Sequence, residues 1–401
     1  MRWDPDRRPD PTELRHSREY LCNMRAKQPL DRSSADIYLG AMSGTSMDGL
    51  DLVATSFDAA GRPTLHHTGF TPYPEQLKTD LMELATDPRA TVDRMCELDT
   101  LLGEFYAAST RAFMHDHGLS AASVRALGNH GQTIRHRPSG SKPYTLQIGN
   151  PAIIAARCAI TVISDFRRKD IALGGQGAPL APAFHQQVFH DPAHDRVILN
   201  IGGIANLTFL PADPEVDAIG FDTGPGNTLI DALCRRHSGQ HFDQDGAIAR
   251  SGHVDHALID SAIAAEPFFQ LPPPKSTGTD HFNQVWLAQH GLDRLSAADA
   301  IATASELTCR GVALGIASLA TRTPDVFVCG GGAHNSFILE RLSRYLQNCH
   351  VRTTDAAGID PDWVEATAFA WLAWRNLSGL SGNLPSVTNA KNYTILGSIQ
   401  R

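Results

Sequence analysis

Residues 38–58 read YLGAMSGTSMDGLDLVATSFD, two apolar runs (38–42 and 50–57) around a turn of small and hydroxyl residues, Ser43, Gly44, Thr45, Ser46, Met47, Asp48 and Gly49. The pattern predicts strand, tight turn, strand. Gly44 and Gly49 permit positive φ and close backbone approach, so successive N–H groups can converge on an anion while the hydroxyls add donors. A phosphate fits such a turn. Asp48 would repel that phosphate unless a divalent cation lay between them, as Mg²⁺ does in nucleotide sites. The competing reading is an ordinary hairpin with Asp-Gly turn chemistry, and the turn alone leaves both open.

The same logic recurs half a chain later. VILNIGGIANLTFL (197–210) is again an apolar strand, a glycine turn and a strand, with Gly202 and Gly203 at the turn and Asn206 behind it. Two such hairpins facing each other across a cleft could hold both sides of a polyphosphate. A third glycine run, Gly330, Gly331 and Gly332, follows the apolar stretch 326–329 and precedes Asn335 and a helix over 336–346. Glycines there leave room for a flat ring or a ribose against the backbone.

Other polar groups stand at predicted strand ends, where ligands of α/β folds often sit. His130 and Gln132 follow the strand 124–127, Asp165 and Arg167 follow 160–163, and Asp222 ends 218–222. Asn150-Pro151 has the chemistry of a helix N-cap and first-turn proline. Asp360-Pro361 is expected to cap a helix over 362–375 whose buried face is Trp363, Ala366, Ala370 and Trp374, with Glu365 in its first turn. The alanine-rich span 297–319 predicts a long buried helix, 267–283 an irregular proline-rich connection, and 382–395 an irregular tail with one short strand.

Composition bounds the function. With 401 residues, 42% hydrophobic and 19% charged, the chain has the length and balance of two globular domains. A net charge of −8 gives no electrostatic footprint for nucleic acid or an anionic membrane. The seven cysteines form no C-x-x-C pair and read as reduced core thiols. No apolar run reaches the roughly 20 residues of a membrane helix and the N-terminus lacks a signal-peptide core, so a cytoplasmic location is expected. Residues 1–36, rich in Arg, Asp and Pro, are expected to form a poorly ordered extension, with Met24 an alternative start. The expected domains are 37–195 and 196–401, the last residues returning to the first.

Three glycine loops in this order, each after a strand, resemble the sugar kinase, Hsp70 and actin superfamily. More specifically, MSGTSMDGLD, HGQTIRH, DFRRKDIALGGQGAPLAPAFH, NIGGIANLT, FDTGPGN, PKSTG, VCGGGAHN, EATAFAWLAWR and GNLPSVTNA together resemble the anhydro-N-acetylmuramic acid kinase family, from about residue 37 to about 397. The resemblance implies an α/β fold of two duplicated actin-like (ribonuclease H-like) ATPase domains with a ligand cleft between them. It also implies ATP and Mg²⁺ as cofactors, and hydrolytic opening of the anhydro-sugar coupled to phosphorylation. It assigns Gly44, Thr45, Ser46, Met47, Asp48, Gly49, Leu50 and Asp51 to ATP, with Asp48 holding Mg²⁺ through water. Gly202, Gly203 and Asn206 join the second phosphate turn, and Gly330, Gly331, Gly332 and Asn335 the adenosine side. Asp222 corresponds to the family's base, with Asp165 the runner-up that otherwise positions the sugar. His130, Gln132, Asp165, Arg167 and Glu365 are sugar contacts by the same resemblance, although Arg167 could equally pair with Asp170 and His130 could be a satisfied buried histidine. Family members are commonly homodimers, an expectation no segment here requires. The residues by themselves also fit a kinase acting on a free sugar hydroxyl, or an ATPase whose cycle drives partner binding.

Overall fold

A computed structural model describes residues 36–319 and 323–401; the expected N-terminal extension and Met24 lie outside the described residues. The opening stretch folds as β1 (Ile37–Met42) and β2 (Gly49–Phe57), paired antiparallel with Met42 opposite Asp51, and β3 (Pro63–Pro72) completes a meander. β4 (Val124–Asn129) then pairs parallel with β1. β5 (Gln132–Arg137) and β6 (Tyr144–Ile148) form a separate hairpin, and β7 (Val162–Ser164) pairs parallel with β4.

The second half repeats this plan. β8 (Arg196–Ile201), β9 (Ile204–Leu210) and β10 (Ile219–Pro225) form the meander, and β11 (Asp325–Cys329) and β12 (His350–Thr353) add in parallel. The order 10-9-8-11-12 in the second sheet matches 3-2-1-4-7 in the first. Two meanders, each extended by parallel strands in the same order, are the duplicated actin-like, ribonuclease H-like α/β fold. β13 (Ser398–Gln400) returns to the first sheet, antiparallel to β7.

Three apolar clusters explain the layering. One fills the outer face of the first sheet, with Leu39, Leu50 and Leu52 packed against the helix Val92–Asp116. Another fills the outer face of the second sheet, with Leu199, Leu207 and Phe221 against the helix Ala297–Ala317. Through its middle that helix is buried almost all round, polar Thr303, Ser305, Glu306 and Thr308 included. The third joins the inner faces, with Met42 and Val53 from the first sheet and Ile198, Leu210 and Phe327 from the second. Between them lie the helices Ala181–Phe189 and Val364–Leu377. Each comes from the half of the chain opposite to the sheet it packs on most extensively.

The helix Val364–Leu377 departs from its expected form. It starts two residues late, with Trp363 at the cap, because the Asp360 side chain accepts the Asp362 N–H in the preceding turn (3.0 Å). It is buried on most sides, not on one face. Gly40 and Gly128 make this possible, since a Cβ on either would collide with the carbonyl of Ala366 or Phe369. The tail differs too: 385–388 is a short helix and the strand falls later, at β13, because β7 offers an unpaired edge there. The connection 267–283 contains the short helix Pro267–Gln270, anchored by buried Phe268 and Phe269. Asn150 caps its helix as read, accepting from Ala152 and Ile153 N–H. Cys158, Cys234, Cys309 and Cys329 are buried, whereas Cys96 is exposed on a helix surface and is not a core thiol.

Candidate active site

Where the shared inner core ends, both sheets carry polar residues on the same inner faces. On the first sheet, Asp51 continues the face of Val53 and pairs across from Met42. On the second, Asn200, Asn206 and Asp222 lie side by side across β8, β9 and β10, on the face that carries Ile198 and Leu210. A polar row in the continuation of an apolar face marks a cleft.

The turns bordering that cleft have glycines the fold does not need. A Cβ on Gly44 would meet nothing nearer than Ser46 Oγ at 4.0 Å, and the nearest atoms to a Cβ on Gly202, Gly203 or Gly331 are 3.7, 3.5 and 3.8 Å away. None of the four has positive φ. The space a side chain would take is therefore free for a ligand. Gly49, Gly330 and Gly332 serve packing: a Cβ on Gly49 would strike the Phe70 ring (2.7 Å), and Gly330 and Gly332 abut Asn200 and Ile201. Positive φ in the first turn falls on Met47 (52°), not on Gly44 or Gly49 as expected. Thr45, Ser46 and Asp48 are exposed, while Met47 and Leu50 point into the outer core.

The second and third turns form one surface. Asn227 N–H donates to Gly202 O (2.8 Å), Gly226 N–H to Gly203 O (2.9 Å), and Asn227 Nδ2 to Ile201 O (3.0 Å). Gly331 lies against Asn227. Asn335 is buried and its Oδ1 caps the next helix, accepting from Ile338 N–H.

Carboxylates gather around the first turn. Burial, reinforced by Glu365, Asp362 and Asp48, pushes Asp51 up to about 7. Burial also pushes Asp231, in the first turn of the helix Thr228–Ser238, up to about 7; Arg235 opposes the rise and Asp48 adds to it. Glu365 is raised by burial and held down by Arg167. As a residue Glu365 is exposed, while protein packs around its carboxyl. Asp48 itself is exposed and ion-paired with Lys78 at 2.7 Å. Among the described residues no three acidic, His or Cys side chains form a closed metal cage. The set suits a cation that keeps most of its water and takes one or two carboxylates plus phosphates.

Asp222 stands apart from this cluster. It is not at the strand end, as expected, but inside β10 at a bulge, where the register shifts between Asp222 and Gly224. The segment around Lys275 lies along this edge strand: Asp222 N–H donates to Lys275 O (2.9 Å) and Thr277 N–H donates to Asp222 Oδ2 (2.8 Å). Burial raises Asp222 to about 6, and the Thr277 N–H limits the rise. A carboxylate ionised just below neutral pH, with one oxygen fixed, suits proton abstraction.

At the ends of β4 and β7 the expected sugar contacts separate. Arg167 donates to His130 Nε2 (2.9 Å from Nη2) and to Gly177 O (2.8 Å), so His130 is neutral. Burial, then Arg167, holds His130 well below the ordinary histidine value. The alternative Arg167–Asp170 pair does not form. Asp170, fully buried, accepts from Gly177 N–H (2.7 Å), Asn383 Nδ2 and Thr388 Oγ1 (2.9 Å each), tying the GNLPSVTNA segment to this loop. Asp165 sits at φ 57°, a strained position for a non-glycine residue, with Arg168 at 3.6 Å. Burial raises its carboxyl, opposed by Arg168. Gln132 is fully enclosed and bonded to Ser43 and Gly44 of the first turn.

Sequence reading missed Asp231 and Thr277, and took Asp170 only as a partner for Arg167. A first-turn Asp directly after the glycine turn FDTGPGN was the available signal for Asp231; the others act through tertiary contacts that no local pattern announces.

The profile of the family described as anhydro-N-acetylmuramic acid kinase matches residues 36–401. A protein of that name from Coxiella burnetii (strain Dugway 5J108-111) is 47% identical over 363 residues, covering 90% of this chain and 96% of the relative. One from Shewanella halifaxensis is 48% identical, covering 90% and 97%. Among solved structures, an activator of 2-hydroxyisocaproyl-CoA dehydratase from Clostridium difficile with bound ADPNP gives a TM-score of 0.43 at 14% identity, covering 85% of this chain and 96% of that one. A ROK family glucokinase from Streptomyces griseus in complex with glucose and AMPPNP gives 0.34 at 12%, covering 84% and 97%. No described helix is long and apolar enough to cross a membrane. With a family profile spanning every described residue and relatives near half identity over nine-tenths of its length, the chain belongs to the anhydro-N-acetylmuramic acid kinase family.

Proposed function

We propose that this cleft uses ATP and water to convert 1,6-anhydro-N-acetylmuramic acid into N-acetylmuramic acid 6-phosphate and ADP, in cytoplasmic recycling of cell-wall sugar. The observation that carries the reading is Asp222: a carboxylate on the inner sheet face, fixed through one oxygen by Thr277 N–H (2.8 Å) and ionising at about 6, beside glycine turns with unfilled space. In the balanced reaction the water oxygen bonds to C1, the C1–O6 bond breaks, O6 takes the γ-phosphoryl group and ADP leaves. Asp222 Oδ1 takes the water proton, while Oδ2 stays held by Thr277. A base of this kind contributes about 10²–10⁴-fold.

The remaining residues bind and orient. The turn 43–48 and the surface built from Gly202, Gly203 and Gly331 would receive the nucleotide, and Asp48, with Asp51 and Asp231 near it, would hold Mg²⁺, which supplies charge neutralisation at the phosphates. The Arg167–His130 pair and Glu365 line the sugar side, and Asp165, strained and partly exposed, orients the sugar. The test is ATP turnover with the anhydro-sugar added and withheld, run in H₂¹⁸O. Sugar-dependent ADP release with label at C1 is expected; unlabelled product, or turnover indifferent to the sugar, overturns the reading.

A further inference from the structure

Beneath the first turn runs a buried chain of hydrogen bonds. Tyr106 and Tyr73 share a hydroxyl contact at 2.8 Å, Tyr73 OH donates to Ser43 Oγ (2.9 Å), Ser43 Oγ donates to Gln132 Oε1 (2.7 Å), and Gln132 Nε2 donates to Gly44 O (3.1 Å). Each hydroxyl has one hydrogen, and each is spent in the direction of the turn. Tyr73 also donates its backbone N–H to Asp48 O (3.0 Å), so one residue holds both ends of the turn. Met47 N–H adds a second donor to Gly44 O, at 3.3 Å.

The consequence lies in the peptide between Gly44 and Thr45. It is trans, and in a planar trans peptide C=O and N–H point in opposite directions. With Gly44 O drawn inward by Gln132, Thr45 N–H is turned outward on the exposed side of the turn, where it has no protein acceptor among the described residues. The space a Gly44 side chain would fill lies open beside it. We infer that Gln132, with Tyr73 and Ser43 behind it, is a positioning residue that sets the Gly44–Thr45 peptide so that Thr45 N–H meets a nucleotide phosphate oxygen. This gives Gln132 a nucleotide duty where the family resemblance implied a sugar contact, and it rests on the nucleotide reading proposed above. Burial pushes the Tyr73 hydroxyl up to about 12, so the chain keeps its protons over any working pH. A donor fixed before the ligand arrives costs no reorganisation during the reaction.

The test uses the full chain. Gln132→Met keeps the shape and removes both bonds; Gln132→Glu keeps the acceptor for Ser43 but donates to Gly44 O only when protonated. Gln132→Met is expected to weaken binding of a non-hydrolysable ATP analogue, measured calorimetrically, and to lower kcat/KM for ATP by about tenfold or more, leaving KM for the anhydro-sugar within about twofold. Gln132→Glu should recover part of its ATP defect, relative to wild type at the same pH, as pH falls from 8 to 6. A purely structural role would not give that recovery. If Gln132→Met does not fold, Tyr73→Phe, which deletes one oxygen atom, takes its place with a smaller change in the same direction. Wild-type ATP parameters in these variants, or a defect confined to the sugar KM, would overturn the inference. Absence of sugar-dependent turnover in the wild type would instead defeat the underlying reading.

Discussion

Lys78 Nζ meets Asp48 Oδ1 at 2.7 Å, with the Asp48 side chain 61% exposed. An ion pair so open contributes about 0–1 kcal/mol to stability. Asp48→Asn should therefore leave the melting temperature almost unchanged while cutting turnover and raising the Mg²⁺ concentration needed for half-maximal rate. A Mg²⁺ titration of both enzymes, beside a thermal melt, checks this; an unaltered Mg²⁺ requirement would remove Asp48 from the metal.

The glycines of the first turn should divide by cause. Gly44→Ala puts a methyl where the nearest protein atom is 4.0 Å away, so the melting temperature should hold while KM for ATP rises at least several-fold. Gly49→Ala drives a methyl into the Phe70 ring and Thr71 O, and should lower the melting temperature outright. Thermal melts with ATP kinetics on the pair test the division, and matching behaviour of the two variants would contradict it.

Asp51 gives a pH prediction whose sign follows from its raised value. Its ordinary value is 3.8 and its folded value about 7, so between these the folded chain keeps a proton that the unfolded chain has lost. Its contribution to stability falls as pH rises through this window, and above about 7 the full cost of a buried, repelled carboxylate remains. Asp51→Asn should raise the melting temperature at pH 8 and do so much less at pH 5. Melting curves of variant and wild type at both values measure the difference; a gain independent of pH would sink the idea.

Much of the fold was legible because hydrophobic runs and glycine turns are local signals. The stretch 38–58 and its echo at 197–210 announced two hairpins, and they open two sheets of matching order. What stayed hidden depends on partners distant in sequence. Asp222 read as a strand-end residue because FDTGPGN has turn chemistry, yet the strand continues through Pro225, with Lys275 and Thr277 bonded along it. The resemblance implies a sugar contact for Gln132, while its bonds to Ser43 and Gly44, nearly ninety residues earlier, are tertiary contacts no local pattern records. The inward burial of the helix Val364–Leu377 follows from Gly40 and Gly128, whose missing side chains no periodicity within the helix records.

The most direct measurement compares kcat and KM for the anhydro-sugar in Asp222→Asn and Asp165→Asn. Asp222→Asn can still accept from Thr277 N–H but cannot take a proton, so kcat should fall by about 10²-fold or more with ATP binding largely preserved. Asp165→Asn should chiefly raise KM for the sugar, since it removes an interaction already made before the transition state. Near-wild-type kcat in Asp222→Asn, with a dead Asp165→Asn that still binds sugar normally, would contradict the account and move the base to the Asp165 loop.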